Sequence, residues 1–119
     1  MPIDREREYW KPGMTWDKAL DDIEYVRELA SEMGGADRIE RQHSGGRYTV
    51  RERIEKILDP GSFLEAGPMV GAAEFDDSGN LKEFTPGAYV MGLGEIDGRP
   101  VAIGGDDFTI SGGSPHNVR

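Results

Sequence analysis

The chain contains no cysteine. That removes disulfides, thiolate nucleophiles and zinc–thiolate centres from consideration. It has no basic block either. Asp and Glu number 23 against 14 Lys and Arg, and the net charge is −9. A field of that sign argues against nucleic acid or an anionic membrane as the main partner. No apolar run approaches the ~20 residues needed to span a bilayer. The opening residues MPIDREREYW are charged and lack the apolar centre of a secretory signal. The expectation is a soluble cytosolic protein. Apolar residues are also sparse, at 36%, so the core of a 119-residue chain must be modest.

Glycine, in contrast, is abundant, with 17 residues, many of them inside or beside stretches that read as strands. Glycine weakens an isolated sheet, and the composition suggests a piece that leans on a partner surface. The most informative stretch is Ala88 to Ser114. Tyr89, Met91 and Leu93 alternate with Val90, Gly92 and Gly94, and Asp97-Gly98 is the signature of a two-residue type I′ hairpin turn. The return strand begins at Pro100-Val101-Ala102-Ile103. It is expected to pass a Gly104-Gly105 break into Phe108-Thr109-Ile110, then end at Ser111-Gly112-Gly113-Ser114. Two consecutive glycines uncover backbone N–H groups to a ligand. Ser114-Pro115 has the pattern of an N-cap followed by a first-turn proline, the start of an anion-binding helix. A plain tight turn between strand and helix fits the same residues.

Upstream, the organisation is helical. Residues 1–13 read as an irregular arm in which Tyr9 and Trp10 either dock on another surface or pack on the next helix. Thr15 is the expected N-cap of a helix reaching about Met33. Its stripe is Trp16, Leu20, Ile23, Tyr25, Val26, Leu29, Ala30 and Met33, and Gly34-Gly35 is its expected stop. A short charged helical turn follows at Ala36–Gln42. His43 has no neighbours in sequence that complete a triad or metal set, so a structural hydrogen bond or loop solvation is expected of it. Thr49-Val50-Arg51-Glu52 is a capping box opening a helix with Val50, Ile54, Ile57 and Leu58 on its apolar face. Asp59-Pro60-Gly61 stops it, and Phe63-Leu64-Glu65 is extended. Asp76 to Asn80 reads as an exposed turn, because the later ligands of a calcium loop are missing.

Four of these segments, in this order, resemble the carboxyltransferase subunits of biotin-dependent acyl-CoA carboxylases of the propionyl-CoA carboxylase β type. They are T-x-R-E-R-I at Thr49 to Ile54, L-D-P-G-S-F at Leu58 to Phe63, the D-G-R turn at Asp97 to Arg99, and D-F-T-x-x-G-G-S at Asp107 to Ser114. The resemblance implies an α+β fold: N-terminal helices, then a small antiparallel sheet, the start of a crotonase-like domain of ββα units. By the same resemblance, residues 14–59 are the helical N-terminal region and residues 60–119 the β-rich start of an acyl-CoA-binding domain.

Such subunits transfer a carboxyl group from carboxybiotin to the α-carbon of an acyl-CoA, with enolate stabilisation by paired backbone N–H donors. The cofactors implied are biotin on a partner carrier and an acyl-CoA substrate, with no metal. The partners implied are the remaining carboxyltransferase portion, a biotin carboxylase or carrier subunit, and further subunits of an oligomer. The family's positions near CoA correspond to Gly112, Gly113 and Ser114, and Arg119 faces either a CoA phosphate or solvent. Arg51 and Arg53 are expected to form salt bridges around their helix. The chain is several times shorter than such subunits, and the glycines of the oxyanion holes and the biotin-facing half have no counterpart in it. No catalytic residue is therefore assigned, and the isolated chain is expected to be inactive. The alternative is a non-catalytic assembly or regulatory protein that binds a carboxylase through this region. A crotonase-like hydrolase or isomerase shares the fold, but the motif set argues against it.

Overall fold

The computed structural model describes residues 15–114. The expected arm at residues 1–13, Pro115 and Arg119 lie outside the described residues. Three helices come first, α1 (Asp17–Ser31), α2 (Ala36–Ser44) and α3 (Val50–Ile57). Five strands follow, β1 (Leu64–Ala66), β2 (Gly71–Phe75), β3 (Leu81–Pro86), β4 (Tyr89–Ile96) and β5 (Arg99–Asp106), then a 3₁₀ turn at Ser111–Gly113. The fold class is α+β, as expected. One antiparallel sheet has the order β1-β4-β5, and β2 and β3 form a separate antiparallel pair.

The core lies where α3 crosses the first sheet. Val50, Ile54 and Leu58 recur at four-residue spacing, and all three are buried against Val90 of β4, with Phe63, Val101 and Ile103 around them. The face of the sheet toward α3 carries Val90, Gly92 and Gly94, and the register sets Gly105, Ile103 and Val101 beside them. A Cβ on Gly94 would stand 2.5 Å from Leu58 Cδ1, and one on Gly105 would stand 2.9 Å from Val50 Cγ2. Glycine in these strands therefore lets a helix lie close on the sheet. The larger residues of the alternation, Tyr89, Met91 and Leu93, point to the opposite face and are exposed, as is Leu64 of β1.

Motif residues fasten the elements together. The capping box is complete: Thr49 Oγ1 accepts the Glu52 N–H, and Glu52 Oε2 accepts the Thr49 N–H at 2.7 Å. Asp59 stops α3 and then spans to the hairpin tip, its two carboxylate oxygens accepting the N–H groups of Asp97 (2.9 Å) and Gly98 (2.8 Å). Asp97 and Gly98 have φ of 50° and 74°, the values of a type I′ turn. The Asp76 carboxylate accepts the N–H groups of Asn80 and Ser78, which organises the β2–β3 turn, and the bonds from Asn80 foremost hold its pKa below the ordinary carboxylate value.

Some local expectations are corrected. Thr15 does not cap α1; its hydroxyl donates to Asp17 Oδ2, and the helix starts from Trp16 in a helical conformation. At the other end the cap is Glu32, not the Gly34-Gly35 pair, and Met33 takes the left-handed conformation with φ of 53°. Trp16, Leu20, Ile23 and Tyr25 of the apolar stripe are exposed, and Ala30 alone among the stripe residues is fully buried. There is no break at Gly104-Gly105. β5 runs unbroken through both, because they pair with Met91 and Val90. Phe108-Thr109-Ile110 is a turn, closed by Ile110 N–H to the Asp107 carbonyl, and not a continued strand.

Candidate functional site

The site is built at the end of β5. Asp107 leaves the strand with its N–H bonded to the Ala88 carbonyl, 2.8 Å away. Its carboxylate oxygen Oδ1 accepts the Thr109 N–H at 2.9 Å and the Thr109 hydroxyl at 2.6 Å. This is an Asx-type turn, in which a side chain two residues back stands in for a backbone carbonyl. Three residues then take positive φ in succession, Ser111 (48°), Gly112 (65°) and Gly113 (77°). Such a conformation disfavours a Cβ, and glycine fills two of the three positions.

The turn consumes most of its own donors. Gly113 N–H bonds to the Ile110 carbonyl at 2.9 Å and Ser114 N–H to the Ser111 carbonyl at 3.2 Å. Gly112 is exposed, a Cβ there would meet nothing within 4 Å, and its N–H has no acceptor among the described residues. Of the uncovered amides expected at the glycine pair, Gly112 supplies one and Gly113 none. Ser114 leaves the turn extended, with φ −71° and ψ 135°.

Beside this turn, α3 and β5 enclose an open groove of about 450 Å³. Its apolar wall includes Ile54, Ile57, Ile103 and Phe108, and Arg47, Tyr48 and Arg53 are among its polar lining. Gly112, Gly113 and Ser114 do not line it. Nothing in the sequence pattern marked this groove, because it joins residues of the α2–α3 loop to residues more than fifty positions later. Lys56 Nζ sits 4.5 Å from the centre of the Tyr48 ring, beside the same groove.

Arg51 does not pair around its own helix. Its guanidinium forms a two-pronged bond across to Glu65 of β1, with Nη1–Oε2 and Nη2–Oε1 both 2.8 Å. The pair is partly buried, and the Arg51 pKa is raised, first by the hydrogen bond to Glu65, against desolvation, and then by the charges of Glu65 and Asp107. Arg53 forms no ion pair among the described residues. His43 Nε2 lies 2.9 Å from Glu52 Oε1, a structural contact to the capping carboxylate. Glu52 is held below the ordinary carboxylate pKa, chiefly by the Thr49 backbone N–H and then by His43. Among the described residues no cluster of three or more His, Asp or Glu side chains is placed to hold a metal, and no helix is long and apolar enough to cross a membrane.

Residues 41–119 match the carboxyl transferase domain family. The chain belongs to that family. The match takes in the capping box, Asp59, the hairpin and the glycine turn. A carboxyl transferase relative, the mitochondrial propionyl-CoA carboxylase beta chain of Sus scrofa, is 43% identical over 94 residues, covering 77% of this chain and 17% of that protein. The methylmalonyl-CoA decarboxylase subunit alpha of Veillonella parvula is 41% identical over 81 residues, 68% of this chain and 16% of that protein. Among solved structures, the hexameric transcarboxylase 12S core with methylmalonyl-coenzyme A and methylmalonic acid bound superposes with a TM-score of 0.67. It is 37% identical, and the match covers 85% of this chain and 20% of that one. The chain thus spans a fifth or less of the length of these relatives, and its fold is that of part of a crotonase-type carboxyltransferase.

Proposed function

We propose that this chain contributes to the carboxyltransferase of a biotin-dependent acyl-CoA carboxylase, which moves a carboxyl group from carboxybiotin to an acyl-CoA. The observation that carries this reading is the family match over residues 41–119, which includes the left-handed turn at its functional end. In this reading Gly112 offers its free N–H, and the Gly112–Ser114 backbone accepts a close approach by CoA. The open space at Gly112, where a side chain would intrude, supports that role. Arg119 is proposed to meet a CoA phosphate. Biotin, when bound to a carrier, supplies the activated carboxyl group, and no residue of this chain is assigned to it.

The proposed partners are the rest of a carboxyltransferase and the biotin carboxylase or carrier subunit. The exposed sheet face supports a covering partner. Leu64 is 70%, Leu93 59%, Tyr89 57% and Met91 48% exposed on adjacent strands. A contiguous apolar face of this kind marks an interaction surface on a folded protein. A cytosolic site of action belongs to the same reading and rests on the charged, cysteine-free sequence.

Isothermal titration of the chain with acetyl-CoA and propionyl-CoA tests the reading. Micromolar binding that is lost on Gly112→Val is the expected result. A folded chain that binds neither thioester would place the CoA contact outside these residues and leave the family membership as a statement of architecture.

A further inference from the structure

Asp107 and Thr109 are 1% and 2% exposed, more deeply buried than the core residues Leu58 (5%) and Val50 (9%). Two polar side chains at that depth must be hydrogen-bonded to be tolerated, and the partner they use is remote in sequence. The Thr109 hydroxyl donates to Asp107 Oδ1 and accepts the backbone N–H of Gly34 at 2.9 Å. The Thr109 carbonyl accepts from Arg38 Nη1 at 3.3 Å. Gly34 approaches so closely that a Cβ there would overlap the Thr109 carbonyl. The junction between α1 and α2 is thus docked on Thr109, two residues before the left-handed turn. Two further bonds carry the constraint forward, Ile110 N–H to the Asp107 carbonyl and Gly113 N–H to the Ile110 carbonyl.

We infer that Thr109 and Asp107 are positioning residues for an acyl-CoA thioester, holding the Gly112 amide in place by latching its turn to the α1–α2 junction. The inference rests on the proposed contact of Gly112–Ser114 with CoA. The latch acts through backbone and not by touching the ligand. Asp107 Oδ1 fixes the orientation of the Thr109 hydroxyl by accepting its hydrogen bond, which leaves a hydroxyl lone pair for Gly34. Without the hydroxyl the Gly34 N–H loses its acceptor in a closed interface, and the turn is released from the helices.

The test uses the full chain labelled with ¹⁵N, as wild type, Thr109→Val and Thr109→Ser. Valine keeps the shape of threonine and removes the hydroxyl, and serine restores it. The expected result is that Thr109→Val moves the Gly112 and Gly113 amide resonances and weakens propionyl-CoA binding about tenfold, the scale of one lost hydrogen-bonded constraint. Thr109→Ser is expected to return both to wild type. Should Thr109→Val not fold, Arg38→Ala removes only the outer bond to the Thr109 carbonyl and is read by the same two measurements. A variant that lowers the melting temperature yet leaves both glycine resonances and the Kd unchanged overturns the inference. Wild type that binds no propionyl-CoA, with the resonances still moved by Thr109→Val, supports the latch and overturns only the CoA role of the turn.

Discussion

The contact between Gly94 and Leu58 offers a direct test of how α3 is seated on the sheet. A methyl group at position 94 would stand 2.5 Å from Leu58 Cδ1 and 3.0 Å from Cδ2. Carbon atoms in contact prefer about 3.5–4.0 Å, so Leu58 must retreat by about 1 Å or α3 must lift. Leu58 is buried and has little room to turn. Overpacking of this kind costs about 1–3 kcal/mol, and replacing a strand glycine by alanine returns about 0.5–1 kcal/mol. Gly94→Ala should therefore destabilise by up to about 2.5 kcal/mol. Leu58→Ala alone leaves a cavity and should cost about 2–5 kcal/mol. In the double variant the methyl group introduced at position 94 enters the space vacated by the leucine side chain. The pair should then be less damaging than the sum of the singles by about 1–2 kcal/mol, within the range seen for residues in contact. Urea unfolding of the four proteins, followed by circular dichroism, measures the cycle. Costs that add to within about 0.5 kcal/mol would show that the glycine is not there to admit Leu58.

Four other perturbations probe the fastenings. Thr49→Ala, at a buried N-cap, should lower stability by about 1–2 kcal/mol in the same urea assay. The Glu52 carboxylate titrates below its ordinary value in the folded chain, chiefly because it accepts the Thr49 N–H. Its contribution is therefore complete above the unfolded carboxylate range and is lost as pH falls through the folded value. The stability gap between wild type and Glu52→Gln should shrink between about pH 7 and pH 3, and a gap that stays constant over that window would contradict the assignment. Removing one partner of the Arg51–Glu65 pair, as Arg51→Met or Glu65→Gln, should cost about 1–3 kcal/mol each, with the double variant no worse than the larger single. Asp59→Ala frees the N–H groups of Asp97 and Gly98, and faster amide exchange at those two residues, with the α3 amides little changed, is the expected signature.

How much of this was legible depends on the range of the interaction. The capping box, the stop at Asp59-Pro60-Gly61 and the Asp97-Gly98 turn are set by neighbours within a few residues, and each forms as its pattern implies. The alternation of β4 was equally plain, but not which face would be covered. The rule that large apolar residues face inward points to Tyr89, Met91 and Leu93, yet α3 lies on the glycine side because Leu58 and Val50 need the space. The β2–β3 pair had no clear pattern because its strands are largely exposed and carry little apolar alternation. At the site, the glycine turn was visible as a pair of glycines, while the loss of the Gly113 donor to the Ile110 carbonyl depends on backbone conformation. The D-x-T spacing of Asp107 and Thr109 is itself a turn signature. As a turn, and not the end of a strand, it holds the deepest polar contact among the described residues. Its partner, Gly34, stood out only as a helix stop.

The motifs that carry the family resemblance divide in an instructive way. Arg51 of T-x-R-E-R-I reaches Glu65, Asp59 of L-D-P-G-S-F holds the hairpin tip, and Thr109 of D-F-T-x-x-G-G-S holds Gly34. Each joins a helix or its end to a strand or turn far along the chain, and none presents a nucleophile or base to a cleft. In this chain the motif residues therefore act as fastenings. In the proposed reading CoA meets the chain at the Gly112 amide, and the reach of that amide is set by where the fastenings hold it. A backbone donor has no side chain to adjust its reach, so its usefulness to a thioester is set by the fold around it. Substitutions in these motifs should then disturb ligand binding through the position of Gly112, even at residues that never touch the ligand.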